Sequence, residues 1–340
     1  MSALKQLVKR GVVHTVARIV PVTWRWKKPG SLVVLMYHRV LPKDSPIRDS
    51  EQPGMYVSPE TLDLHLTELK RHFELVHLDD WLRRAKDGKP LPKLACALTF
   101  DDGWRDNYDV ALPVLLKHQA PATIFLVSSY IGSAQRFWPN RLMDLVRREF
   151  AEPGSVSFPA KLRALIDPVL AKGRHRSGID SEAIDPIVQQ ALELGEAEIR
   201  GLVAVAEGAD PSRPPDRETV DQREIAAMAA TGLVRFGSHS ATHFRLDAST
   251  PASVLKAEIA QSRRALQEIC GQPIDLFCYP NGVTCAAAVD WTRREYLGAV
   301  STARGWYRPR GNPYLIPRIA VHDDISANRD GFLACLSGWL

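Results

Sequence analysis

The feature that most constrains this chain is a succession of short apolar runs rich in β-branched residues, each followed by a helical pattern. Such runs occur at 31–40 (SLVVLMYHRV), 94–100 (LACALTF), 121–129 (PATIFLVSS), 233–240 (LVRFGSHS) and 274–280 (IDLFCYP), with shorter ones at GAVST and PRIAV. Each is too short for a helix and is apolar at consecutive positions, as a strand buried on both faces must be. Between them lie helix signals. In SPETLDLHLTELKRHF (58–73), Ser58 is placed to cap, Pro59 starts the first turn, and Leu62, Leu66 and Leu69 form one stripe. FELVHL (73–78) reads as another short strand, LDDWLRRAK as a helix, and the segments 110–119, 251–270 and 285–296 as further helices. Strand–helix alternation of this kind predicts parallel βα units. Residues 133–220 break the rhythm with helical stripes and a Pro/Gly-rich stretch, EGADPSRPPDRE, and read as an insertion of helices and loops within one domain spanning 31–340.

Charge is unevenly placed. Of 44 Lys and Arg residues, seven fall in residues 1–30 with no acid, leaving 37 basic against 39 acidic groups in the rest. The main body therefore offers no nucleic-acid surface. Leu4, Leu7, Val8, Val12, Val16, Ile19 and Val20 recur at helical spacing, with Lys5, Lys9, Arg10, His14 and Arg18 between them. Pro21 is expected to end this pattern, so residues 1–30 read as a basic amphipathic segment whose helix either packs on the outside of the domain or, with contact through 1–28, lies on an anionic membrane surface. Charges interrupt each apolar stretch, so the segment does not read as a signal peptide. Cytoplasmic placement, or a peripheral position on the inner face of the membrane, is the expectation. The five cysteines (96, 270, 278, 285, 335) lack paired spacing, which fits a reducing compartment. The oligomeric state is not legible.

Three predicted strand ends carry unusual polar groups: Asp101-Asp102, His239 with His243, and Tyr279-Pro280-Asn281-Gly282. Ligands of parallel βα folds bind at the carboxyl ends of strands. Adjacent carboxylates repel unless one is protonated or a cation compensates them. Two imidazoles and one carboxylate form an open three-ligand metal site, with the HxxxH spacing expected to set both rings on one face of a helical turn. A second carboxylate beside the metal can then handle a proton.

LTFDDGW, GSHSATH and FCYPNG, in this order, resemble the polysaccharide deacetylases of carbohydrate esterase family 4; VVLMYHRV and PATIFLV resemble further segments. The resemblance spans roughly 31–322. It implies a distorted (β/α) barrel and metal-dependent removal of acetyl groups from N-acetylated sugars. Carried over by position, Asp101 is the general base, Asp102, His239 and His243 bind the metal, and the backbone N–H of Asn281 helps stabilise the oxyanion. Zinc is the default metal, with iron, cobalt or nickel also compatible. The implied partner is an N-acetylated glycan or lipid-linked precursor in surface or exopolysaccharide biosynthesis.

The third motif departs from the common pattern. Cys278-Tyr279-Pro280-Asn281 stands where many members have Arg-x-Pro-Tyr, so the arginine that orients the catalytic aspartate is missing. The Tyr-Pro-x-Gly form resembles the branch tied to exopolysaccharide loci. Arg318, in IPRIAV, is a candidate substitute; its bland alternative is a surface ion pair. His322 and His38 are the two candidates for the general acid. Trp138 is either a sugar-stacking residue or an anchor for the insertion. Two rival readings remain: a glycan-binding pseudoenzyme of the same fold, favoured by the missing arginine, and a non-haem iron oxygenase, which shares the ligand set.

Overall fold

The structure, a computed structural model, describes residues 3–173, 179, 181–208 and 217–337; residues 209–216 of the Pro/Gly-rich break lie outside them. Side chains of residues 3–11, including Leu4, Lys5, Leu7, Val8, Lys9 and Arg10, are also outside the described part.

Seven strands carry the fold: β1 (Ser31–Tyr37), β2 (Leu94–Phe100), β3 (Ala122–Leu126), β4 (Val234–Ser238), β5 (Leu276–Cys278), β6 (Gly298–Arg304) and β7 (Ile316–Ala320). Each pairs in parallel with the next, and β7 pairs with β1 (Leu35 opposite Ile319), which closes the sheet into a barrel. The expected distorted (β/α) barrel is therefore present. The expected strand at 73–78 shrinks to Glu74–Leu75, paired beside Ala95 and Cys96 of β2. Leu78 already begins the next helix, Leu78–Lys86.

Closure explains the uninterrupted apolar runs, because both faces of each strand are buried. In β1, Val33, Leu35 and Tyr37 face the surrounding helices, while Leu32 and Val34 join a separate cluster with Ala95, Ala97, Phe125 and Cys278 that fills the barrel. The same alternation in β2 carries inward from Ala95 and Ala97 to Thr99 and then Asp101. The helix Pro59–Lys70 starts as expected, with the Ser58 hydroxyl accepting from the Thr61 N–H at 3.1 Å.

Compact packing divides the chain in two. One unit holds the barrel (1–42, 56–133, 219–340); the other comprises 43–55 and 134–218. The second unit contains most of the helices and loops expected as an insertion at about 133–220 and adds 43–55 to them. The second unit has a core of its own, in which helices Trp138–Ala151, Ala160–Gly173, Ser181–Ala191 and Glu196–Glu207 bury Leu142, Val146, Leu162, Ile166, Ile187 and Val203. It also recruits Lys43–Met55, where Glu51 accepts from Asn140 Nδ2 at 3.2 Å. Trp138 is buried in that core and serves as its anchor.

In the barrel unit, the N-terminal helix Ala3–Thr23 packs on the C-terminal helix Arg329–Ser337 and buries Ala17 and Val20, while Trp24, just past it, sits against His72, Phe73 and Trp306. The C-terminal helix is fastened in turn by His65, which stacks on Phe332 with ring centroids 3.8 Å apart. His65 Nε2–H donates to the Ser326 carbonyl (2.8 Å), leaving Nδ1 to accept from the Tyr37 hydroxyl (3.0 Å). Burial pushes His65 down from 6.5 to about 4, so the folded protein holds it neutral where the unfolded chain protonates it. Its contribution is complete above pH 6.5 and is lost as pH falls toward 4, by roughly 3 kcal/mol at the limit. Unfolding measured across that window should show this loss, and His65→Gln should flatten the slope; an unchanged slope would refute the assignment.

Candidate active site

Every group of the site sits at the carboxyl end of the barrel. His38 follows β1, Asp101 and Asp102 follow β2, His239 follows β4, and Asn281 lies three residues past β5. Arg318 projects from within β7 and is fully buried, so it is not a surface ion pair.

Arg318 grips Asp101 from inside the barrel. Nη1 and Nη2 donate to Oδ1 and Oδ2, both at 2.7 Å. The other N–H groups go to the Ser301 carbonyl (3.0 Å), the Thr99 hydroxyl (3.1 Å) and Cys278 Sγ (3.2 Å). All five guanidinium donors are thus used, which only arginine could do. The Thr99 hydroxyl is free to accept because its own proton goes to the Leu35 carbonyl at 2.6 Å. Cys278, which replaces the usual third-motif arginine, lies 3.5 Å from Asp101 Oδ2. Burial by itself would raise the Asp101 carboxyl; the Arg318 guanidinium outweighs it and holds the group below its ordinary value, ionised at neutral pH.

Asp102 faces the other way. Its φ of 73° and that of Gly103 (70°) turn the chain sharply after the strand. A side chain on Gly103 would approach Leu126 to 2.7 Å, so the turn requires glycine. Asp102 Oδ2 accepts from Trp104 Nε1 at 3.0 Å, and Oδ1 stands 3.4 Å from both His239 Nε2 and His243 Nε2. Burial opposes ionisation of Asp102, but the two histidines hold its pKa well below the usual carboxylate range.

The two histidines do not share a helical turn, as the HxxxH spacing suggested. Residues 239–243 form a loop with Ser240 and His243 at φ 66° and 60°, which brings the rings to 4.8 Å between centroids. Glu258 pins this loop, accepting from the N–H groups of Ala241 and Thr242 at 2.9 Å and from the Thr242 hydroxyl at 2.8 Å. His239 Nδ1 bonds the Cys278 carbonyl at 2.9 Å, which directs the lone pair of Nε2 toward Asp102.

This donor set fits a divalent metal. Asp102, His239 and His243 offer ligand atoms within 4.8 Å of one another, and Asp102 Oδ1 is buried without a hydrogen-bond partner. The 3.4 Å separations match the edge of a tetrahedral site with metal–ligand distances of ~2.1 Å.

The two general-acid candidates separate clearly. His38 Nε2 is 3.9 Å from Asp101 Oδ2, and Asn107 Nδ2 steadies the His38 carbonyl at 2.9 Å. His322 instead pairs its Nδ1 with Asp324 at 3.0 Å, and no hydrogen bond or ion pair among the described residues joins it to Asp101 or the metal-ligand set. Asn281 has φ 53°, and its N–H has no partner among the described residues. Gly282, next in the turn, has φ 68°, and any Cβ there would collide with Thr302.

Thr99, Ser301, Trp104, Asn107 and Glu258 were not singled out by the motifs. Trp104 stands inside DDGW, and the inward parity of Thr99 was readable; Asn107 and Glu258 gave no signal. Both lie in widened, π-type turns (Asn107–Ala111 and Lys256–Gln261), a distortion often found beside functional sites.

The family model described as polysaccharide deacetylase matches residues 88–158 and 201–296. The poly-beta-1,6-N-acetyl-D-glucosamine N-deacetylase of Staphylococcus epidermidis is 31% identical over 161 residues, covering 45% of this chain and 54% of that one. The chain spans about half the length of the curated relatives it matches. Among solved structures, the Streptococcus pyogenes deacetylase PplD, in complex with acetate, aligns with TM-score 0.58 at 17% identity over 91% of this chain and 99% of its own. IcaB from Ammonifex degensii aligns with TM-score 0.57 at 17% identity over 92% and 97%. At these identities the two structures speak to the fold.

Replacing Arg318 with Met should lower kcat/KM at least ~100-fold. It should also move the acidic limb of the pH–rate profile upward, because Asp101 loses the charge that depresses its pKa. A lowered Tm with an unmoved acidic limb would reduce Arg318 to a structural role.

Proposed function

We propose that this chain is a polysaccharide deacetylase, the family whose model it matches, and that it hydrolyses N-acetyl groups from an amino-sugar glycan or a lipid-linked glycan precursor. A β-linked poly-N-acetylglucosamine is the substrate class we favour, given the named activity of the staphylococcal relative. One observation carries the reading: an ionised carboxylate held by Arg318 and a metal-ligand triad meet at one barrel rim through adjacent residues, Asp101 and Asp102.

Asp102, His239 and His243 would hold the metal. Zinc suits this set best, and iron, cobalt and nickel are compatible. When bound, the metal supplies Lewis-acid polarisation of the acetamide carbonyl and a lowered pKa for water. Asp101 accepts a proton from the water that attacks the carbonyl carbon. The Asn281 N–H donates to the oxygen that becomes negative. His38, beside Asp101, gives a proton to the departing nitrogen as the C–N bond breaks, so acetate and a free amine leave. The pseudoenzyme reading drew its force from the absent third-motif arginine. The paired hydrogen bonds from Arg318 to Asp101 supply a guanidinium from another strand, which weighs against that reading.

Metal-loaded protein should release acetate from β-1,6-linked N-acetylglucosamine oligomers, and Asp101→Asn should abolish release while keeping the metal. A chelator should remove activity that added zinc restores. Protein that neither binds metal nor releases acetate from free or lipid-linked N-acetylated sugars would overturn the proposal. For the proton donor, His38→Ala should cost ~100-fold or more in kcat, and His322→Ala should stay within a few-fold of the parent; the reverse pattern would reassign the role.

A further inference from the structure

The N-terminal helix has two apolar stripes, and the fold uses one. Ala17, Val20 and Trp24 are buried against the barrel unit. Val12 (47% exposed), Ile19 (54%), Val22 (50%) and Trp26 (79%) run along the outward side at helical spacing. An exposed row of this size is uncommon on a protein surface without a partner. Beside it lies a cavity of about 720 Å³ walled by Val16, Ile19, Trp24, Lys27, Trp306 and Leu336. A smaller one, about 320 Å³, adjoins the same helix at Val22 and is lined by Arg71, His72 and Lys93.

Acids near the helix, Asp330 and Glu68, are paired with His14 and Arg71, and the unpaired exposed charge is basic. Arg18, Lys28 and Lys93 are exposed and have no acidic partner among the described residues, and Lys27 sits 4.3 Å above the Trp306 ring. Residues 1–30 contain no acid. Two copies of such a face would repel, which disfavours self-association through it. An apolar row with an exposed tryptophan, ringed by unpaired cations, complements a surface that is anionic outside and apolar beneath. No helix among the described residues is long and apolar enough to cross a membrane.

We propose that this face docks on an anionic lipid bilayer, with Val12, Ile19, Val22 and Trp26 entering the acyl boundary, Arg18, Lys28 and Lys93 meeting the headgroups, and an acyl chain seated in the groove beside Trp306. The helix leads through Lys28 directly into the amino end of β1, whereas the catalytic groups follow carboxyl ends. Docking through this face does not depend on the deacetylase reading.

The full chain should sediment with vesicles of mixed phosphatidylglycerol and phosphatidylcholine, remain in the supernatant with phosphatidylcholine alone, and be released by salt. Ile19→Glu combined with Trp26→Glu should weaken the vesicle partition roughly tenfold or more with an unchanged Tm, as both positions are exposed. Arg18→Glu with Lys28→Glu should do the same and abolish the salt dependence. The proposal is overturned if the parent ignores anionic vesicles, or if the Ile19/Trp26 variant binds them as the parent does. It is equally overturned if ultracentrifugation finds a dimer that the variant loses while vesicle binding is absent, since the face would then join two copies.

Discussion

The paired hydrogen bonds between Arg318 and Asp101 are the interaction on which the rest of this site depends. Arg318 lies on the last barrel strand and Asp101 at the end of the second, and the guanidinium also touches Cys278 of β5 and Ser301 of β6. These groups meet only if the sheet closes. A buried ion pair contributes little net stability, because desolvation offsets most of its attraction. What it supplies is definition: with five donors committed, the guanidinium has one orientation, and Asp101 has one orientation with it. The small side chains inside the barrel, Ala95 and Ala97 among them, leave the room that arrangement needs.

The inequality of the two aspartates follows from backbone geometry before any electrostatics. Inward parity along β2 hands Asp101 to the barrel interior and to Arg318. The left-handed turn at Asp102 and Gly103 then swings the next carboxylate toward the histidines of the β4 loop. Two adjacent like charges thereby acquire separate compensation, one from a guanidinium and the other from imidazoles and, when bound, a metal. Their mutual repulsion is met without protonating either.

Much of this was legible in the sequence because it rests on local pattern. The strands β1 to β4 show as apolar runs, and the aspartates, histidines and the Tyr-Pro-Asn-Gly turn show as polar groups stranded at their ends. Arg318 was legible as a candidate only, since nothing local says that residue 318 approaches residue 101; closure of the barrel decides it. The same is true of His38 against His322, both of which follow strands. The loop geometry of 239–243 was misread as helical because HxxxH spacing fits a helix equally well, and the left-handed residues that bend it are Ser and His rather than glycine. The separate core of the second unit was hidden for a different reason: its partner segment, 43–55, is short and lies far from 134–218 in sequence.

The two ends of the barrel answer to different physical demands. At the carboxyl end, buried charges must be matched atom by atom, so Glu258 and Asn107 reach in from distorted helical turns to hold the loops that carry His239, His243 and His38. At the amino end, burial is mostly apolar: Trp81, Leu82 and Tyr307 close the interior, and the terminal helices pack across the outside. Apolar packing tolerates an additional amphipathic helix, and a matched charge network does not. A basic amphipathic helix can therefore pack on the outside of this fold without disturbing the carboxylate, imidazole and guanidinium geometry of the site.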